Sequence, residues 1–189
     1  MNHKSAAMLY AERTDGPFET ESDAADYIDS LLDLAKDLFA VSKEVPGTLQ
    51  YSRPQQPKTD MRIDRILHPR KKLLQSGWRF GVVGIEIKKS MHPAGPLVAQ
   101  AQDYMRSAFT FESSGVSVVL NSIFLFPAFA AGGGLASILA QNRIGFAGEH
   151  NGRLSLTLNN ASLLRYEGDG VFRIGSCGQL NCGMKVGSR

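Results

Sequence analysis

Cysteine is scarce in this chain: there are two among 189 residues, Cys177 and Cys182, both in the glycine-rich stretch 175–183. Two thiols exclude a disulfide-stapled scaffold, and Cys-x4-Cys without a second ligand pair makes a poor zinc site. Reduced thiols in a cytoplasmic protein are therefore expected. No Gly-x4-Gly-Lys-Ser/Thr loop occurs, so nothing points to a helicase or P-loop ATPase. Residues 1–10 lack the apolar run of a secretory signal, and no internal repeat is evident. One long stretch, 113–142, has no charged residue, but Pro127 and Gly132-Gly133-Gly134 interrupt it and Ser117, Asn121 and Ser122 are spread through it. It reads as a buried strand (116–126), a loop and a short helix (135–141), not as a membrane span. A large excess of one charge is lacking too, the formal net charge being only +3.

What is present suits one globular domain over 1–189, at 43% apolar residues. Charge is unevenly spread: residues 1–57 carry 5 Lys/Arg and 10 Asp/Glu, residues 58–89 carry 9 and 3, and residues 90–189 carry 7 and 5. The basic block holds Lys58, Arg62, Arg65, Arg70, Lys71, Lys72, Arg79, Lys88 and Lys89. Cations at this density neutralise phosphates and release counterions, so a DNA-contacting face is expected here. A solvated loop accounts equally well for Arg70-Lys71-Lys72, and Trp78 reads as a core anchor before a base-stacking platform.

Within that block the acids carry the chemistry. Residues 61–67 and 80–89 alternate with the period of half-buried strands. In the second, Val82, Gly84, Glu86 and Lys88 share one face, and Val83, Ile85 and Ile87 the other. Asp64 and Glu86, brought together, repel, and a hard dication such as Mg²⁺ resolves the conflict, with the Ile87 carbonyl as a third oxygen. Such a metal acidifies water and stabilises charge on phosphoryl oxygen, while Lys88 holds the water or neutralises the phosphate. Residues 96–108 follow as a helix whose Gln100 and Tyr104, four apart, lie side by side.

Asp64, then Glu86-x-Lys88, then Gln100-x3-Tyr104 resembles the PD-(D/E)XK nuclease superfamily. The likeness is to members whose core helix carries Gln-x3-Tyr, as in recombination helicase–nucleases and phage exonucleases. It implies a restriction-endonuclease-like α/β fold: a mixed central sheet flanked by helices, in the order αβββαβ. The core would span about 20–150, with residues 151–189 as a β-rich C-terminal appendage. It further implies an Mg²⁺- or Mn²⁺-dependent deoxyribonuclease of phage, mobile-element, repair or recombination context. Asp64, Glu86, Lys88, Gln100 and Tyr104 would be catalytic, and Asp64, Glu86 and Ile87 would hold the metal. Glu44 is the candidate for a further acid from the first helix or just after it, with Asp37 as an alternative. Arg62, Arg65, Arg70, Lys71, Lys72 and Lys89 would contact DNA. The chain departs from the pattern in having Ile63, not proline, before Asp64, and in the long gap from Asp64 to Glu86.

Plainer readings exist for each residue. Asp64 can pair with Arg62 and Arg65, Glu86 and Lys88 can form a solvated edge-strand face, and Tyr104 can be a core tyrosine. At the level of the chain, the alternatives are a non-catalytic nucleic-acid-binding module on the same fold and an interaction protein with a coincidental Glu-x-Lys. A homo-oligomer would suit a junction or palindromic duplex.

Local patterns predict loose residues 1–19, a helix over 22–41 capped by Thr20 or Ser22 and stopped by Pro46-Gly47, and a strand at 48–52. A linker at 53–58 and strands at 62–67 and 79–88 follow. Further strands are expected near 144–147, 153–158 and 171–174, with a turn at Gly168-Asp169-Gly170.

Overall fold

A computed structural model describes residues 18–50, 60–89, 94–111, 114–128, 138–158, 161–168 and 171–175. The 53–58 linker, Lys58, Asp169-Gly170 of the expected turn, and Cys177 and Cys182 lie outside the described residues.

The first helix, α1 (Glu21–Leu34), starts where its caps require. Thr20 Oγ1 accepts from the Asp23 N–H at 3.0 Å and the Thr20 N–H donates to Asp23 Oδ2 at 2.9 Å, a reciprocal capping box. Ala24, Ile28, Leu31 and Leu32 form its buried stripe. The helix is shorter than the apolar spacing suggests. A turn at 35–38 leads directly into β1 (Phe39–Leu49), because Phe39 and Val41 pair across a ladder with Pro69 and Leu67 of β2 (Asp60–Pro69). Leu38 and Phe39 fit a helical stripe and a buried strand equally well, and the long-range partner decides. Pro46 does not stop a helix but sits inside β1, just before the third strand of that region begins to pair, at Gly47 with Phe109. There its missing N–H leaves no ladder bond unmade on that side.

Next come α2 (Lys71–Gln75), which the sequence reading missed, β3 (Val83–Ile87), α3 (Ala94–Met105) and β4 (Ser107–Thr110). The single strand expected over 116–126 is two: β5 (Ser117–Val119), paired with β4 at one rim, and β6 (Ser122–Phe126), beside β3. Residues 138–141 are helical. Then β7 (Ile144–His150), β8 (Arg153–Leu158), β9 (Ala161–Gly168) and β10 (Val171–Ile174) complete an α/β protein with one large, open, mostly antiparallel sheet and few helices. The strand order is β10-β9-β8-β7-β6-β3-β2-β1-β4-β5. Only β3–β6 and β6–β7 are recorded as parallel pairs among the described strands. Both parallel pairs need a crossover: α3 lies in the β3–β6 connection, and the helical residues 138–141 lie in the β6–β7 connection.

Each face of the sheet has its own core. Against α1 pack Leu67, Trp78, Val83, Ile85, Ile87, Phe124 and Phe126. Against α3 pack Ile63, Ile66, Ile123 and Leu125 with Leu97, Ala101 and Tyr104. All five residues of β3 and all five of β6 are buried, as strands covered on both sides should be. The C-terminal strands are no appendage: they continue the same sheet, and Leu154, Leu156, Leu163 and Leu164 join the α1-side core. Among the described residues no helix is long and apolar enough to cross a membrane.

The sheet is tight where β7 passes between β6 and β8. A Cβ on Gly145 would lie 2.3 Å from the Thr157 carbonyl oxygen and 2.9 Å from the Phe124 ring. The carbonyl belongs to the neighbouring strand and cannot step aside. Gly145→Ala should therefore destabilise the protein by about 1–3 kcal/mol, read as a lower urea midpoint with an unchanged slope.

Candidate functional site

The site forms where two ladders break at the same row. The β1–β2 pairing runs from Phe39↔Pro69 to Thr48↔Asp60 but skips Glu44 and Asp64. Glu44 there has a φ of 51°, the left-handed region that a residue with a Cβ adopts only at a cost. The β2–β3 ladder begins at Leu67↔Val83 and stops at Arg65↔Ile85. One more step would set Asp64 opposite Glu86. Three carboxylates, Glu44, Asp64 and Glu86, thus stand in one row across three adjacent strands. Like charges directly opposite repel, which accounts for the ladder opening there.

In place of the next rung, Asp64 Oδ2 accepts the Ile87 N–H at 2.6 Å. Glu86, 2% exposed, gives one carboxylate oxygen to Lys88, whose Nζ lies 2.7 Å away. Its other oxygen, Oε2, is buried without a hydrogen-bond partner among the described residues. Burial first, and then the charge of Asp64, push the Glu86 carboxyl up to about 7, against the easing effect of Lys88 and the nearby Tyr104 phenol. Asp64 is raised as well, by burial before all, although the Ile87 N–H and Lys88 favour its charge. Lys88 is held above its ordinary value: burial opposes its charge, but Glu86 and Glu21 outweigh that.

From the α3 side, Gln100 Nε2 donates to the Tyr104 hydroxyl at 2.7 Å, and the hydroxyl donates to the Arg62 carbonyl at 2.8 Å. The helix is thereby latched to β2 two residues ahead of Asp64. The Tyr104 proton goes to that carbonyl, which leaves Glu86 Oε2 unsatisfied. Burial and the Glu86 charge raise the phenol well above its usual value.

Asp64, Glu86, Lys88, Gln100 and Tyr104 are therefore brought to one place, and the plainer readings of the acids fail. Glu86 is not on an edge strand, since β3 lies between β2 and β6, and no ion pair joins Asp64 to Arg62 or Arg65. Glu44 stands in the row, and its charge reaches Asp64, but its side chain is 54% exposed and lies 3.5 Å from Arg65. Ile87 is seen at the site through its N–H. Asp37 is paired with Lys72.

The expected DNA contacts divide. Arg65 is a correction: it is buried, donates to Asp29 through Nε at 2.7 Å and Nη2 at 3.0 Å, and binds the Asp64 carbonyl at 2.7 Å, so its fork is taken up inside the fold. Arg70 donates to the Phe39 carbonyl, and Lys72 pairs with Asp37 and lies over the Phe172 ring. Arg62, Lys71 and Lys89 are exposed, with no ion pair to a described residue. Trp78 is a core residue, its indole N–H on the Gly81 carbonyl at 3.0 Å.

Two residues escaped the sequence reading. Asp29 tethers Arg65 to α1. Glu21, the first residue of α1, lies 3.1 Å from Lys88 Nζ. Glu21, in a first helical turn, looks like an ordinary dipole partner, and Asp29, in the middle of α1, looks like one more acid of its polar face, so nothing in the sequence marks either one.

No family model, curated protein or solved structure matches the chain. Among the described residues, no group of three or more His, Cys, Asp or Glu is gathered so as to hold a cation. Mg²⁺, however, is commonly held by one or two carboxylates with water and substrate phosphate completing its shell. Asp64 and Glu86, both with raised carboxyls, and the orphaned Oε2 suit that mode.

A pH dependence follows for the metal-free protein. Because the folded-state value of Glu86 lies above its ordinary 4.5, the folded state binds the proton more tightly, and stability falls as pH rises from about 4.5 to about 7. At ~1.4 kcal/mol per unit the loss is on the order of 3 kcal/mol. Glu86→Gln should remove it, giving a variant more stable than wild type in EDTA at pH 8 and no more stable at pH 4, by urea unfolding. A constant difference between the two would refute the buried-carboxylate account.

Proposed function

We propose that the chain is a metal-dependent deoxyribonuclease of the PD-(D/E)XK type, built on a restriction-endonuclease-like core. The observation that carries the reading is the buried pair Asp64–Glu86, with Lys88 on Glu86 and one oxygen of Glu86 left unsatisfied. With the short α2 inserted between β2 and β3, and β4 and β5 between α3 and β6, the order α1-β1-β2-β3-α3-β6, antiparallel through β1–β2–β3 and parallel from β3 to β6, is compatible with the αβββαβ arrangement of that superfamily.

Asp64 and Glu86 would hold Mg²⁺ or Mn²⁺. When bound, such an ion supplies Lewis acidity toward the scissile phosphate and a more acidic water. Lys88 adds a compact positive charge on the Glu86 side, orients the attacking water and stabilises charge developing on phosphorus oxygens. Gln100 and Tyr104 act on β2 through the Arg62 carbonyl and keep Asp64 in place. Arg62, Lys71 and Lys89 offer the DNA backbone exposed cations. A phage or mobile-element, repair or recombination role suits an enzyme of this kind.

The test is a DNA panel of linear duplex, single strand, nicked circle and four-way junction, incubated with Mg²⁺, Mn²⁺ or EDTA. Wild type should cut at least one substrate with metal and none in EDTA. Lys88→Ala, purified in parallel, should lose about 100-fold or more in rate. DNA binding that ignores metal and survives Lys88→Ala, without cutting, would mark a non-catalytic nucleic-acid-binding module instead. Neither binding nor cutting would sink both readings.

A further inference from the structure

The Lys88 ammonium has two anionic partners, and they are unequal. Glu86 Oε1, at 2.7 Å, belongs to a nearly fully buried carboxylate whose second oxygen has no hydrogen-bond partner among the described residues. Glu21 Oε1, at 3.1 Å, belongs to a side chain that is 56% exposed and comes from a different element, the first turn of α1. The contact between Glu21 and Lys88 is built, not incidental. The capping box between Thr20 and Asp23 fixes the α1 start on both sides of Glu21. Phe18, two residues before that box, packs its ring on Phe126 at 5.5 Å. The Lys88 N–H donates to the carbonyl of the same Phe126 at 2.8 Å. Both partners are thus referred to one residue at the end of β6, which sets the distance between them.

We infer that Glu21 is a positioning residue of this site, anchoring the Lys88 ammonium from α1 when Glu86 is drawn to a cation. The inference rests on the nuclease reading and assigns Glu21 a place in it. A dication on Glu86 repels the neighbouring ammonium, and Coulomb forces at a few ångströms in a partly buried site are large enough to displace a flexible lysine stem. Glu21 lies on the α1 side and supplies an opposing attraction. It touches no reacting atom and acts through Lys88.

Two measurements test this. Glu21→Gln, Lys88→Met and the double variant are unfolded in urea without metal. Removing Glu21 should lower the midpoint when Lys88 is present and leave it unmoved when Lys88 is Met. An equal shift in both backgrounds overturns the contact. DNA cleavage is then followed against Mg²⁺ concentration, with direct Mn²⁺ binding alongside. Glu21→Gln should lose about 10-fold in kcat, less than Lys88→Ala, with KM for DNA, half-saturating Mg²⁺ and Mn²⁺ affinity unchanged. A raised Mg²⁺ requirement with weaker Mn²⁺ binding would instead make Glu21 a metal ligand and overturn the positioning role. Unaltered kcat in a cutting background overturns that role alone. A wild type that cuts no DNA overturns the nuclease reading and the catalytic purpose of the contact together.

Discussion

Two acids facing each other in the middle of a ten-stranded sheet are the constraint around which the rest of this molecule is arranged. Asp64 and Glu86 fall on consecutive strands at positions that a continued register would make direct neighbours. Burying even one carboxylate costs several kcal/mol, and two of them add their mutual repulsion. The structure meets this in three ways. The ladder opens, so that Asp64 takes the Ile87 N–H in place of an inter-strand rung. Lys88 neutralises one oxygen of Glu86. Glu44, the third acid of the row, is turned outward toward Arg65, which its left-handed backbone accompanies. What remains uncompensated is Glu86 Oε2. A fold optimised for stability alone would replace Glu86 by an apolar residue, as Ile85 and Ile87 beside it show to be compatible with β3.

The supports of this pair come from both faces of the sheet, and that is why the site depends on the whole α/β arrangement and not on one hairpin. From one face, α3 reaches β2 through Gln100, Tyr104 and the Arg62 carbonyl. From the other, α1 contributes Asp29 to hold Arg65, whose Nη1 grips the Asp64 carbonyl, and Glu21 to hold Lys88. The backbone of Asp64 is therefore clamped on either side, at Arg62 and at its own carbonyl. A residue fixed in this manner keeps its carboxylate aimed, which on the nuclease reading would be the preorganisation that electrostatic catalysis requires.

Much of the central arrangement was legible because it follows from short-range periodicity. The alternation of residues 82–88 correctly separated Glu86 and Lys88 from Val83, Ile85 and Ile87, and the mostly apolar run over 116–126 marked a strand covered on both faces, which its second half forms. The i, i+4 spacing of Gln100 and Tyr104 foretold their contact. The failures share a different cause. Leu38 and Phe39 extend a helical stripe on paper, but the ladder with β2 captures the chain from Phe39 on, and nothing local reports a partner about thirty residues away. Residues 116–126 look like one strand because β5 and β6 are separated only by Leu120 and Asn121, although four other strands lie between them in the sheet. The role of Arg65 was equally hidden, since a buried arginine and a DNA-binding one have the same neighbours in sequence, and only Asp29, brought by α1, distinguishes them.

That last distinction changes what the basic segment can do. Of the six cations expected to meet phosphate, Arg65 is enclosed, Arg70 braces the turn that enters β1, and Lys72 is paired with Asp37. Arg62, Lys71 and Lys89 remain available among them. Each phosphate neutralised contributes a slope of about −0.9 in log affinity against log salt, so three contacts give a salt dependence roughly half that of six. On the nuclease reading, a shallow electrostatic footprint places more of the recognition on the few groups that surround the scissile phosphate. Lys88 sits just past the carboxyl end of β3, beside the end of β6 to which it is parallel, the position where open α/β sheets most often receive their ligands. On the same reading, one phosphate would be held closely, by the carboxylates through a cation and by lysine, and the surrounding duplex or strand more loosely.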